Sequence, residues 1–236
     1  MKKKKKTNWF KKLLALIILT IIVFSIYEIK KGYDMYKTAV NKVSIENKID
    51  SIKKIKYYTD FDNIPKDYRN AVLAIEDHRF YNHGPIDIIS IGRAVVTDIK
   101  SLAPVEGGST ITQQLAKNMY FSREKVLSRK IAEIFVASKL EKMYSKNQLL
   151  ELYINYSYFG DGYTGIGQAS RGYFSKTPMQ LSLDEQTLLA GLPNAPSIYA
   201  LDNNPDLAQK RQDAVINAMS RYNYLTDVQV KKLKEN

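Results

Sequence analysis

Glu106-Gly107-Gly108-Ser109-Thr110-Ile111-Thr112-Gln113-Gln114-Leu115-Ala116-Lys117-Asn118 reads as a glycine turn running straight into a polar helix. Gly107 and Gly108 leave the backbone free to turn with its N–H groups exposed, and Thr110 with Gln113 has the spacing that caps a helix start. The first N–H groups of a helix lack partners and carry a partial positive charge, so this turn predicts an anion site, above all for a phosphate. Gln113, Gln114 and Lys117 lie three or four residues apart and share a face. The competing reading is an ordinary capped helix with a solvated polar side, and the rest of the chain has to choose between them.

Working outward, the signals on both sides are helical. Pro65 is placed to open a helix carrying Tyr68, Ala71, Val72 and Ile75 on one face. Ser145 with Gln148, Ser182 with Glu185, and Thr226 with Gln229 have capping-box spacing before apolar periodic runs, and Pro205 opens another such run. Convincing alternating strands are absent. The expected fold is therefore all-α, with at most a minor hairpin near residue 60. The chain has no cysteine, which excludes a disulfide framework and thiol chemistry.

The charge is uneven. Lys2 to Lys6, Lys11 and Lys12 supply seven of the formal +12, leaving +5 for everything that follows. So mild a balance, without a basic stripe or an RNA-binding aromatic motif, excludes a nucleic-acid partner. After the lysines, residues 13–27 carry no charge. That run is shorter than the roughly 20 residues of a full span, and a signal peptide competes for it. No small-x-small cleavage site follows, while Lys30, Lys31 and Tyr27 suit the membrane interface, so the sequence predicts an uncleaved single-pass anchor. The lysine excess keeps the N-terminus cytoplasmic and places the remainder outside the membrane. The organisation that follows is a basic tail (1–12), a transmembrane anchor (13–28), a helical stalk (29–60) and a globular domain (61–236). Within the stalk, Ile45, Ile49, Ile52 and Ile55 recur at helical spacing among lysines.

Two carboxylates stand out. Glu76 lies one turn from Val72 and from Phe80, and shielding of that kind suits a general acid or base; a surface pair with Arg79 is the simpler alternative. Glu133 follows Arg129 and Lys130 by one turn, which is the pattern of a structural ion pair or of a pyrophosphate site assisted by a divalent cation. His78 and His83 lack the spacing and the third ligand of a metal site. Ile88, Ile91, Val95, Ile99 and Leu102 form a stripe that either packs on the core or dips into a membrane surface. Four glycines within Gly160 to Gln168 fit close approach to a ligand, or a tight connection between helices.

Glu76-Asp77-His78-Arg79-Phe80, the glycine-turn stretch, Arg129-Lys130-Ile131-Ala132-Glu133, Leu150-Glu151-Leu152-Tyr153-Ile154-Asn155 and Leu189-Ala190-Gly191-Leu192-Pro193-Asn194-Ala195-Pro196-Ser197 follow one another in an order that resembles the five motifs of the family 51 peptidoglycan glycosyltransferases. The resemblance runs from about residue 60 to about residue 230. It implies a lysozyme-like, two-lobed helical domain that polymerises lipid II into β-1,4-linked glycan strands, with inversion and release of undecaprenyl pyrophosphate. Its chain length resembles the monofunctional members. By the resemblance Glu76 is the general base and Glu133 the second catalytic carboxylate, organising the leaving-group side with a Mg²⁺ ion. Ser109, Thr110, Gln113, Gln114, Lys117, Lys125 and Arg129 form the implied substrate-binding set. The implied partners are lipid II, the growing glycan strand, the bilayer and other cell-wall synthesis proteins. Two rival classes remain open: a glycan-cleaving lysozyme-like enzyme, which needs no phosphate-binding cations, and a noncatalytic membrane scaffold, in which Glu76 and Glu133 are ordinary acids.

Overall fold

The helix that follows the glycine turn, Ile111–Tyr120, runs between two others, Leu127–Met143 and Lys146–Tyr156, and buries Ile111, Leu115, Ala116 and Met119. The computed structural model describes residues 3–101, 107–122, 124 and 126–235. Its helices in chain order are α1 (Lys3–Lys42), α2 (Ile45–Lys53), α3 (Lys66–Glu76), α4 (Ile88–Ser101), α5 (Ile111–Tyr120), α6 (Leu127–Met143), α7 (Lys146–Tyr156), α8 (Ile166–Phe174), α9 (Leu183–Gly191), α10 (Pro196–Tyr199), α11 (Pro205–Arg221) and α12 (Asp227–Lys234). The all-α expectation holds, and no strand occurs among the described residues; Tyr158 and Thr164 form an isolated antiparallel bridge.

One pack of helices has α5 against α6 and α7, with α1 on α6 and α2 on α7. A second has α3 against α9 and α11. The two share one continuous apolar core that includes Tyr68, Leu115, Leu150, Ile154, Leu189 and Ile216. Capping boxes close as expected at Ser145–Gln148, Ser182–Glu185 and Thr226–Gln229, fixing the starts of α7, α9 and α12.

The amino-terminal region differs from the sequence-based division. A single helix carries the apolar run straight into the domain, with no break at residue 28. From Trp9 to Lys42 it is long and apolar enough to cross a membrane. Its outer end is seated on α6: a Cβ on Gly32 would stand 2.7 Å from Ile131 Cβ, so only glycine lets the helices approach there. Tyr33 and Tyr36 pack around Phe135 beside it, with ring centroids at 5.3 and 5.8 Å.

Nor do residues 45–60 behave as a stalk. Ile45, Ile49 and Ile52 are buried in the common core. The reason is amphipathic: their helical stripe faces α7, and the lysines that suggested a solvated stalk occupy the other side. Beyond α2, no hairpin forms near residue 60, because side chains of α7 take the backbone bonds a strand would have made. Glu151 accepts from Tyr58 Oη (2.5 Å) and the Phe61 N–H (2.9 Å), while the Asn155 amide bonds both the N–H and the C=O of Thr59 at 2.8 Å. Within the glycine-rich segment 160–168, the close approach falls at Gly167, where a Cβ would meet the Tyr57 carbonyl at 1.9 Å, while Thr164 lines a cavity.

Ile52→Ala should therefore destabilise the domain by about 2–5 kcal/mol, the cost of a truncated core side chain. Thermal unfolding of the detergent-solubilised protein checks this; an unchanged midpoint would place residues 45–60 outside the cooperative core.

Candidate active site

The end of α3 and the start of α5 are tied by one carboxylate. Asp77, just beyond α3, binds His83 Nε2 through Oδ1 (2.7 Å) and accepts the Ile111 N–H through Oδ2 (3.0 Å). Thr110 Oγ1 accepts the Gln113 N–H at 3.1 Å. The positive end of α5, read from the sequence as a phosphate cradle, is thus already occupied by a carboxylate and a hydroxyl of the chain itself. Gly108 avoids the left-handed region and lies close against Ile91, and Gly107 is bare backbone on a cavity wall.

Burial raises the cost of charging His83, but the Asp77 carboxylate and the Gly84 carbonyl outweigh it and leave its pKa above the ordinary value. Asp87 stands close by. Its carboxylate accepts from Ile89 N, Ser90 N, Ser90 Oγ and Arg79 Nε, and these bonds outweigh burial and hold its pKa down to about 2. Asp77, His83 and Asp87 place a ligand atom each within 4.8 Å of one another. Both carboxylates are nevertheless engaged by the protein's own donors, so the trio is a structural tie.

That tie sets Glu76 opposite Gln114. Gln114 Nε2 donates to Glu76 Oε2 at 2.7 Å, and Tyr153 Oη donates to Gln114 Oε1 at 3.2 Å, which fixes the amide's orientation. Burial pushes the Tyr153 phenol far above its usual pKa, so it remains a donor. Arg211 of α11 stands 3.4 Å from Glu76 Oε1. The expected alternative, a pair with Arg79, is not formed, because Arg79 is held by Asp87.

Glu76 opens into a cavity of about 620 Å³ whose wall carries Arg93, Lys117, Arg211 and Arg221. His78 stacks on Tyr222 there, with centroids 4.1 Å apart, and burial, followed by the charge of Arg93, lowers its pKa so that it stays neutral. A second cavity, of about 840 Å³, is lined by Arg129, Tyr158, Ser197 and Phe121. Lys117 and Asn194 line both. Lys117 makes no ion pair among the described residues.

The remaining expected residues divide sharply. Ser109 lines the Glu76 cavity and accepts from Lys130 Nζ at 2.7 Å. Thr110 and Gln113 do not face substrate space: both are 2% exposed and donate to the Pro85 carbonyl, at 3.1 and 2.8 Å. Helical geometry explains this, since Gln113 falls on the buried side of α5 while Gln114 and Lys117 take the cleft side. Lys125 lies outside the described residues. Glu133 is 1% exposed, with Arg129 Nη1 on one oxygen and Lys130 Nζ on the other at 3.1 Å. It lines neither cavity. A carboxylate held between two cations in this way offers no open oxygen to a divalent ion, so the residues present do not fit Mg²⁺ at Glu133. Glu133 positions Arg129 and Lys130 instead.

Sequence reasoning did not single out Arg211, Tyr153 and Asn194, while Lys130 was read only as part of the Glu133 cluster. Tyr153 and Asn194 sit inside motifs already singled out. Arg211 gave no signal, because a lone arginine on an amphipathic helix looks like solvated surface.

The Transglycosylase family model matches residues 45–220. The chain belongs to the transglycosylase family. Penicillin-binding protein 1F of Bacillus subtilis (strain 168) is 47% identical over 163 residues, covering 69% of this chain and 23% of that protein. Penicillin-binding protein 1A of Aquifex aeolicus (strain VF5) is 42% identical over 174 residues, covering 74% and 24%. A crystal structure of penicillin-binding protein 1A from Haemophilus influenzae aligns with a TM-score of 0.44 at 18% identity, over 75% of this chain and 17% of that one. This transglycosylase chain spans about a quarter of the length of these curated relatives. The family match begins at Ile45, the first residue of α2 and the first of the buried isoleucines.

Because His83 gains a partner on folding, its stabilising contribution should be complete below the unfolded histidine pKa of about 6.5 and should fade as pH rises through the higher folded value. Thermal midpoints of wild type and His83→Gln should therefore converge as pH is raised from mildly acidic to alkaline. A gap that widens with pH would contradict the assigned Asp77–His83 pair.

Proposed function

We propose that this chain is a peptidoglycan glycosyltransferase that joins lipid II units into β-1,4-linked glycan with release of undecaprenyl pyrophosphate. The observation that carries the reading is the divided cleft: the carboxylate of Glu76 opens on one cavity, the guanidinium of Arg129 on the other, and Lys117 stands between them. An inverting transfer needs a base at the nucleophile and cations at the leaving group, on opposite sides of the reacting carbon.

In this reading the acceptor sugar occupies the Glu76 cavity. Glu76 takes the proton of its 4-hydroxyl, the oxygen attacks the donor's anomeric carbon, and the bond to the diphosphate breaks, turning an α linkage into a β linkage. Gln114 and Arg211 hold the Glu76 carboxylate in place for that step. Lys117 and Arg129 offset the charge developing on the departing diphosphate, and Glu133 keeps Arg129 aimed. A glycan-cleaving enzyme would use the same glutamate but would have no use for the cations of the second cavity.

Membrane geometry supports the same reading. The helix Trp9–Lys42 anchors the chain, and the lysines before it favour a cytoplasmic N-terminus with the domain outside. On α4, Ile88 is 79% and Ile99 68% exposed, so of the two expectations for this stripe, contact with the bilayer fits better than core packing; Leu102 and the Val95 side chain lie outside the described part. An anchored domain with a second apolar edge is suited to a substrate that stays in the membrane.

Labelled lipid II incubated with the detergent-solubilised protein should yield polymer resolved by size, and Glu76→Gln should lose about 10²–10⁴-fold of that rate. Absence of polymer from the wild type, where a known synthase works, or full activity of Glu76→Gln, would overturn the assignment. The residual activity of Glu133→Gln should keep the wild-type Mg²⁺ midpoint; a large displacement of the midpoint would put the ion on Glu133.

A further inference from the structure

We infer that the groove between the outer part of α1 and the end of α5 carries the polyprenyl chain of the donor from the diphosphate cavity to the bilayer. This rests on the function proposed above. The groove has a volume of about 710 Å³, and one wall is a stripe of α1 from Tyr27, at the end of the anchor's apolar run, to Lys42. At 1.5 Å per residue that stripe is about 22 Å long. The facing wall is Tyr120 and Phe121.

Continuity identifies the occupant. Phe121 also lines the cavity that holds Arg129 and Lys117, so the groove begins where the leaving group's diphosphate would sit and ends where the membrane begins. Tyr120 Oη donates to the Val43 carbonyl at 3.0 Å, which ties the end of α5 to the end of α1 and keeps the groove's inner end in place. Met35 and Ala39 give the α1 wall an apolar floor, while Lys30 and Lys31 rim the outer mouth. A chain of isoprene units attached to an anionic head matches that order: charge at the cations, hydrocarbon along the floor, and exit past lysines at the level of the headgroups. The seating of Gly32 and Tyr33 on α6 fixes the α1 wall to the helix that carries Arg129. The groove's α1 wall and Arg129 of the leaving-group cavity are thus carried on two helices in direct contact.

The test uses the full chain in nanodiscs with lipid II bearing a photoreactive group on its prenyl chain. Cross-links should map to Met35, Ala39 and Phe121, and Thr38→Trp or Met35→Trp, which fill the groove, should cut that labelling about tenfold. Thr38 is exposed, so its replacement is not expected to disturb folding, and a thermal midpoint checks this. In parallel, the ratio of polymerisation rates for lipid II with a full-length and with a shortened prenyl chain should fall about tenfold in the filled variants. Cross-links spread along the membrane-embedded part of α1 and unaffected by Thr38→Trp would overturn the inference. So would labelling of the same residues by photoreactive phosphatidylglycerol that lipid II does not displace, which would make the groove a phospholipid site. Groove labelling by lipid II in a protein that forms no polymer would sustain the groove and defeat the polymerase reading.

Discussion

The bond pair at Asp77 is the constraint on which the site depends. One buried carboxylate binds His83 and caps the first N–H of α5, and it belongs to the residue that follows Glu76. Loss of either partner would leave an unsatisfied polar group in the interior, which costs about 1–3 kcal/mol and more when the group is charged. The geometric effect exceeds the energetic one. Because α3 ends and α5 begins on the same carboxylate, Glu76 meets the Gln114 amide at 2.7 Å. If Glu76 is the base of the proposed transfer, a carboxylate held in this way needs no reorganisation when substrate arrives.

The rest of the architecture separates two cavities with different charged groups. The second pack of helices, with α3 and α11, supplies Glu76 and Arg211, while α5 and α6 supply Lys117 and Arg129. Lys117 belongs to both cavities, which in the proposed reaction is the place where charge passes from nucleophile to leaving group. Behind it a partly buried network runs from Ser109 through Lys130 to the buried Glu133 and on to Arg129. Burial lowers the Lys130 pKa, and the Glu133 carboxylate opposes that shift. The carboxylate that the sequence suggested for catalysis or for metal binding thus acts through its neighbours.

Much of this was legible in the sequence. Capping boxes and proline positions located α3, α7, α9, α11 and α12, and of the residues singled out by motif order, Glu76, Lys117 and Arg129 line the two cavities whereas Glu133 lies behind them. What could not be read was which polar atoms the fold consumes internally. Gln113 and Gln114 look equivalent as letters, but one is buried against Pro85 and the other faces the cleft. The helix N-terminus looked like a phosphate site because nothing in the local sequence shows that Asp77, 34 residues earlier, will cap it. Arg211 lies 135 residues from Glu76, and only the packing of α11 on α3 brings them together. The lysines of 29–60 masked a buried isoleucine stripe, since charge density advertises solvent more loudly than three isoleucines advertise a core.

The most direct test is a structure of the protein with an acceptor and an unreactive donor analogue bound together. The account predicts the acceptor 4-hydroxyl within about 2.6–3.2 Å of the Glu76 carboxylate, with the donor's diphosphate between Lys117 and Arg129. A diphosphate seated on the N-terminus of α5 beside Asp77, or an acceptor hydroxyl out of reach of Glu76, would contradict it.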